Sequence, residues 1–171
     1  MVAKPKPVKT KKPKRRKVKT PRQLAEIRLD ALVKEIVLLR DGGCVCPPPI
    51  KGHTQIRTPG HLISRGKESV KWDLMNVHEQ CNGCNARHEH YPEIFTNWFI
   101  GQFGQDQYMK LVERSYKVNK LTLDDLEEIE YQLTEIQKMV EFYKITGEVK
   151  KPYFTQKQIL DGTWRFNDSN N

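Results

Sequence analysis

The chain has 171 residues, with 30 Lys and Arg against 21 Asp and Glu, for a formal net charge of +9. That length suits one domain of ordinary size with appendages. Four cysteines in such a chain are too sparse for a small secreted disulfide framework, and the longest uninterrupted apolar run, Ile36 to Leu39, is far short of the roughly 18 residues of a membrane span. The N-terminus carries a signal peptide's charge but no apolar segment behind it. A reducing cytoplasmic setting is therefore expected, in which close cysteine pairs bind metal more often than they form disulfides.

The charge is segregated. Residues 1–22 hold 11 basic residues and no acid, so the rest of the chain is close to neutral. Residues 1–21 read as a disordered basic arm, too poor in large apolar groups to offset the entropy of ordering. Its densest run contains Lys14, Arg15 and Arg16, and contact with a phosphate backbone suits it better than a plain solubilising tail.

Thr20 and Pro21 supply an N-cap and a first-turn proline to a helix over 22–43, with an apolar stripe at Leu24, Ile27, Leu32, Ile36 and Leu39, stopped by Gly42 and Gly43. Residues 44–91 contain all four cysteines and all five histidines, and are the expected chemical core. The segment 92–149 reads as helical: Pro92 to Phe103, Asp106 to Lys117 after a hinge at Gly104, then a long helix capped by Thr122 with Asp125 and closed by Gly147. That helix carries Leu126, Ile129, Leu133, Ile136, Val140 and Tyr143 in steps of three and four, which predicts packing on its own domain first and a homodimer contact second. A tail over 150–171 carries Tyr153, Phe154, Ile159, Leu160, Trp164 and Phe166 before a polar end.

Cys81-Asn82-Gly83-Cys84 is a knuckle whose spacing lets two thiolates take adjacent corners of a tetrahedron around zinc at about 2.3 Å. Its natural partner is Cys44-Val45-Cys46. The second pair is one residue tighter than usual, so one corner is either strained or replaced by His53. Four buried free thiols or a metal-free redox pair are the alternatives. A four-thiolate zinc site is closed to substrate and would serve to hold the fold.

Between the cysteine pairs, Gly60-His61-Leu62-Ile63-Ser64-Arg65-Gly66 reads as a strand with His61, Ile63 and Arg65 on one side. Asn76-Val77-His78-Glu79-Gln80-Cys81 leads to the knuckle, with Asn85 directly after it. A histidine on a strand, an asparagine some fifteen positions on and a polar residue after the knuckle follow the order of the HNH, or ββα-metal, nucleases. With Gly104-Gln105 and the Thr122-capped helix, these segments resemble the NinG/Rap recombination proteins of lambda-like bacteriophages over about residues 28–145. The most specific piece is Asn-Val-His-x-Gln-Cys-x-x-Cys-Asn.

The resemblance implies an α+β, mainly helical fold: an HNH ββα-metal core with a two-stranded hairpin and a structural zinc knuckle, flanked by helices. It further implies a metal-dependent DNA endonuclease acting on branched recombination intermediates such as D-loops and Holliday junctions, in the cytoplasm of a host bacterium. In that reading His61 is the general base, Asn76 pins the loop that orients it, and Asn85 reaches a catalytic Mg2+ or Mn2+. The residue before the base is a metal ligand in most HNH nucleases, but here it is Gly60, which offers no side chain. His88, a step of three from Asn85, is preferred over His90 as a further cation ligand, whereas His78 reads as packed and His53 as a surface residue. Arg57, Arg65, Lys67 and Lys71 flank the site and are expected either to clamp phosphates or to form a solvated rim. The competing readings are a noncatalytic zinc-stabilised DNA-binding module and a sequence-specific homing or restriction nuclease, the latter without a visible base-reading element.

Overall fold

The computed structural model describes residues 18–47, 53–118, 120–148 and 151–166. Lys14, Arg15 and Arg16 of the basic arm and the polar end of the tail lie outside these residues. Among the described residues, six helices and a two-stranded antiparallel sheet are formed in the order α1 (Pro21–Asp41), β1 (Arg57–His61), β2 (Val77–Cys81), α2 (Asn82–His88), α3 (Pro92–Phe103), α4 (Gln105–Ser115), α5 (Leu123–Thr146) and α6 (Gln156–Leu160). A one-turn 3-10 helix, Glu68–Val70, interrupts the β1–β2 connection. The fold is thus α+β and mostly helical, as expected, and no helix among the described residues is long and apolar enough to cross a membrane.

Helix α1 begins where Thr20 accepts the Gln23 N–H and the Gln23 side chain returns to the Thr20 N–H, and it ends at Gly42, whose φ of 65° is the left-handed conformation glycine adopts freely. Its buried face is Ala25, Leu29, Val33, Ile36 and Val37, and this corrects the expected stripe: Leu24 and Ile27 are each 45% exposed. The helix is apolar over more than half its circumference. Its neighbour α5 selects the face whose small and branched side chains allow close approach, and leaves Leu32 and Leu39 at the margin.

Helix α5 follows its expected pattern. Thr122 and Asp125 form the capping box, Gly147 the left-handed C-cap, and Leu126, Ile129, Leu133 and Ile136 are completely buried against α1. Because that seam is spent inside the domain, it offers no surface to a second copy. The tail residues Phe154, Ile159, Trp164 and Phe166 pack onto the same core, and Thr155 and Gln158 cap the short α6 within it. A second apolar cluster joins Leu62, Val70 and Met75 of the β1–β2 connection to Phe95 and Phe99 of α3 and Leu111 of α4.

The strands pair Arg57 with Cys81, Gly60 with His78 and His61 with Val77. The strand stops at His61, so Leu62 to Gly66 form a turn instead of extending it. Arg40 at the end of α1 locks the helix to the sheet: its buried guanidinium donates to the carbonyls of Leu74, Val77 and Pro152 and to His78 Nδ1, and forms a two-point pair with Asp41. His78 donates from Nε2 to the Met75 carbonyl, so its Nδ1 lone pair faces Arg40. Burial and the Arg40 charge hold its pKa down to about 3, which confirms it as a packed, neutral histidine.

Candidate functional site

The cysteines meet at the junction of β2 and α2. Cys81 closes β2 and caps α2, its Sγ accepting the Cys84 N–H at 3.4 Å. The C-x-C segment is drawn to the same place because the Val45 N–H bonds the Glu79 carbonyl at 2.8 Å. The set whose donor atoms all lie within 4.8 Å of one another is Cys44, Cys81, Cys84 and His53. His53 Nδ1 stands 3.5 Å from Cys81 Sγ and 3.6 Å from Cys84 Sγ. Corners of a zinc tetrahedron with thiolate bonds of about 2.3 Å are about 3.8 Å apart, so the four donors could hold zinc after small adjustments. His53, though exposed, is therefore a member of the set and not an isolated surface residue, and of the two alternatives for the fourth corner the geometry offers His53 in place of Cys46. Cys46 is buried beside the set, where its Sγ accepts from Gln80 Nε2 at 3.4 Å and burial pushes its thiol pKa up. Although burial alone would raise the Cys81 pKa, hydrogen bonds from the Thr54 and Cys84 backbone outweigh it and bring the thiol to about 6.

Gln80 also explains Gly60. A Cβ at position 60 would fall 2.0 Å from Gln80 Oε1, 2.6 Å from its Cδ and 2.9 Å from its Cγ. Position 60 therefore carries no side chain because the completely buried Gln80 fills that space. No metal ligand can come from there.

His61, at the end of β1, lines a cleft of about 560 Å3 together with Asn85 of α2 and Glu89 just after that helix. Its Nε2 lies 3.0 Å from the Lys71 carbonyl, which only an N–H can satisfy, so neutral His61 presents the Nδ1 lone pair. Burial lowers its pKa, and the Arg65 and Lys71 charges add to that, while the Lys71 carbonyl opposes it. Asn76 does not line the cleft. It is wholly buried and closes the β1–β2 connection, accepting the Ile63 N–H at 2.7 Å and donating to the Ile63 and Val70 carbonyls at 3.0 and 2.9 Å. The Leu62 N–H adds a bond to the Asn76 carbonyl. Asn76 thus positions the turn after His61 and touches nothing in the cleft.

His88 is packed more than expected. Its Nε2 donates to the Leu62 carbonyl at 3.3 Å, its Nδ1 is buried, and its ring meets Phe95 edge-on. His90 is exposed on the turn after α2. The basic residues around the cleft all have partners. Arg57 pairs with Glu79, Arg65 with Asp30, and Lys71 with Glu26, while Lys67 lies over the Tyr116 ring.

Two cleft carboxylates were not singled out from the sequence. Asp30 of α1 comes from a distant helix, and its oxygens already accept from Trp72 Nε1 and Arg65. Glu89 was legible in principle, because it stands four residues after Asn85 and seven after Asn82, in register with the face of α2 that lines the cleft. It is exposed and makes no ion pair among the described residues.

A mostly helical α+β chain that gathers three cysteines and a histidine into one cluster, behind a histidine-bearing cleft, belongs among proteins with a candidate zinc-braced site. The family model for the bacteriophage lambda NinG protein matches residues 3–141, and the chain is a member of that family. No curated protein and no solved structure matches it.

Proposed function

We propose that the chain is a metal-dependent endonuclease that hydrolyses phosphodiester bonds in branched DNA, built on an HNH-type β1–β2–α2 core braced by zinc at Cys44, His53, Cys81 and Cys84. The observation that carries this reading is the setting of His61: a half-buried imidazole in the lining of a cleft, with Nε2 held on the Lys71 carbonyl so that Nδ1 is left as a proton acceptor. Its lowered pKa keeps that acceptor unprotonated at neutral pH.

The opposite wall suits a hard divalent cation. Asn85 supplies an amide oxygen and Glu89, directly after α2, a carboxylate, the oxygen donors that Mg2+ and Mn2+ prefer, and both line the cleft. Glu89 is preferred to His88 in this role, because His88 Nε2 is engaged by the Leu62 carbonyl and its Nδ1, although without a partner among the described residues, is buried beneath the cleft surface. A cation bound there would supply Lewis-acid stabilisation of the charge on the phosphate and on the departing 3' oxygen. His61 Nδ1 removes a proton from the attacking water and becomes an imidazolium as the phosphorus–oxygen bond breaks. Asn76 holds the turn that keeps the ring aimed. Arg65 and Lys71 exchange Asp30 and Glu26 for phosphate oxygens, so their contribution is positional. The basic arm adds sequence-independent affinity.

The test is cleavage of labelled four-way junction, D-loop and linear duplex by the native protein and His61→Ala, with Mg2+, Mn2+ or EDTA. Metal-dependent cutting of branched DNA by the native protein, with a variant that binds and does not cut, is the expected result. Binding by both without cutting overturns the reading and leaves a zinc-stabilised DNA-binding module. Preference for one duplex sequence points instead to a sequence-specific nuclease.

A further inference from the structure

Tyr116, directly after α4, is 74% exposed, although α4 as a whole is packed against the 3-10 turn that leads to the cleft. Its ring carries Lys67 Nζ at 5.4 Å from the centroid. Lys67 in turn is held by its N–H on the Ser64 carbonyl and lies two residues from Arg65, which lines the cleft. Two residues span at most about 7 Å, and a lysine side chain adds about as much again, so Tyr116 sits within a few nucleotides of the cleft rim. Lys117 and Lys120, both exposed, follow Tyr116 in sequence, Lys117 pairing with Glu113 at 4.0 Å, so with Lys67 the cations near the ring outnumber that acid. A solvent-facing aromatic face among cations, beside a cleft suited to phosphodiester chemistry, has the two components of a single-strand binding surface: a stacking platform and charge for the backbone.

We infer that Tyr116 is a stacking platform for an unpaired nucleobase, and that Lys67 and its neighbours carry the adjoining phosphates. The inference rests on the DNA-binding part of the proposed function and not on its catalytic part. It names what the protein recognises in a branched substrate: a base without a partner at the branch point. Fully paired duplex offers no free base face, so it gains nothing from the ring.

The experiment uses the full, zinc-loaded chain without added Mg2+ or Mn2+, where cutting does not interfere. Forked DNA carrying 5-iodouracil in its unpaired arm is photocrosslinked, the modified peptide is identified by mass spectrometry, and Kd is measured for forked and duplex DNA. The expected result is a crosslink at Tyr116, with fork affinity weakened about tenfold or more by Tyr116→Ala and retained by Tyr116→Phe, as the loss of one stacked base predicts. Duplex affinity should be unchanged. Because the side chain is exposed, both variants should fold, and circular dichroism with zinc content checks that they do. Equal fork affinity for native protein and Tyr116→Ala, or equal losses on fork and duplex, overturns the inference even if metal-dependent cleavage is intact. If the Tyr116-dependent binding is present and no DNA is cut, the inference stands and the nuclease reading falls.

Discussion

Replacing Gly60 with alanine tests how the sheet is fitted to the metal cluster. The added methyl would lie 2.0 Å from Gln80 Oε1 and within 3 Å of its Cδ and Cγ, where favourable carbon contacts require about 3.5 Å or more. The clash involves three atoms along the side chain, so rotating its tip is not enough. Gln80 has no solvent to escape into, and moving it breaks the Nε2 hydrogen bond to Cys46 Sγ. Overpacking of this kind costs about 1–3 kcal/mol and the lost hydrogen bond about 1 more, so Gly60→Ala should destabilise the fold by roughly 2–4 kcal/mol. Urea unfolding of native protein, Gly60→Ala, Gln80→Ala and the double variant measures it. Because truncating Gln80 removes the obstacle, the double variant should be more stable than the sum of the single effects predicts, by at least about 1 kcal/mol. Additive losses, or a Gly60→Ala protein as stable as the native one, would refute the account of why position 60 carries no side chain.

Other outcomes follow from the same geometry. Asn76→Ala strips the Ile63 N–H and the Ile63 and Val70 carbonyls of their partners in a buried loop and should cost about 2–4 kcal/mol in urea unfolding, with cleavage falling further than DNA affinity. The cleavage rate should be flat at neutral pH and fall as pH drops through an apparent pKa below 6.5, because burial lowers the His61 pKa and only the unprotonated ring accepts a proton; a midpoint above 6.5 would contradict that environment. His78 titrates near 3 when folded and near 6.5 when unfolded, so its contribution is complete above pH 6.5 and is lost progressively as pH falls toward 3, by up to about 1.4 kcal/mol per unit. Acid titration of stability should therefore be shallower in His78→Gln. One zinc per chain is expected by elemental analysis, lost in Cys81→Ser and Cys84→Ser and retained in Cys46→Ser; loss in the last would return Cys46 to the ligand set.

What the sequence made legible was set by local rules. The caps at Thr20, Thr122, Gly42, Gly104 and Gly147 act within a few residues, and all of them are found in the structure. The α5 seam was readable because its other faces are charged. Helix α1 misled because two apolar stripes overlap on it, and the choice between them depends on α5, nearly a hundred residues away. The same limit applies to the site. His61, Asn76, Asn85 and three cysteines could be ordered along the chain by spacing, but His53 joins the cluster only because the strands bring Ile56 and Asn82 together, the Asn82 N–H bonding the Ile56 carbonyl at 2.8 Å. Asp30 reaches the cleft from α1, and no spacing rule connects it to His61.

The metal cluster and the cleft share a single small helix, and this gives the cluster a consequence for whatever occurs at His61. Helix α2 has only seven residues, too few to be stable alone, so its placement must come from tertiary contacts. Cys81 at its N-cap and Cys84 in its first turn belong to the cluster, while Asn82, Asn85 and, at its C-cap, Glu89 line the cleft. His61 has further anchors of its own, in the far end of the β1–β2 pairing, the Lys71 carbonyl and the Asn76 loop. The distance across the cleft is thus set by two separate anchors, one on each wall. On the proposed function, loss of zinc from the cluster should loosen the α2 wall more than the His61 side, so that the affinity for the proposed cation, rather than the pKa of the proposed base, is the property most sensitive to loss of the cluster.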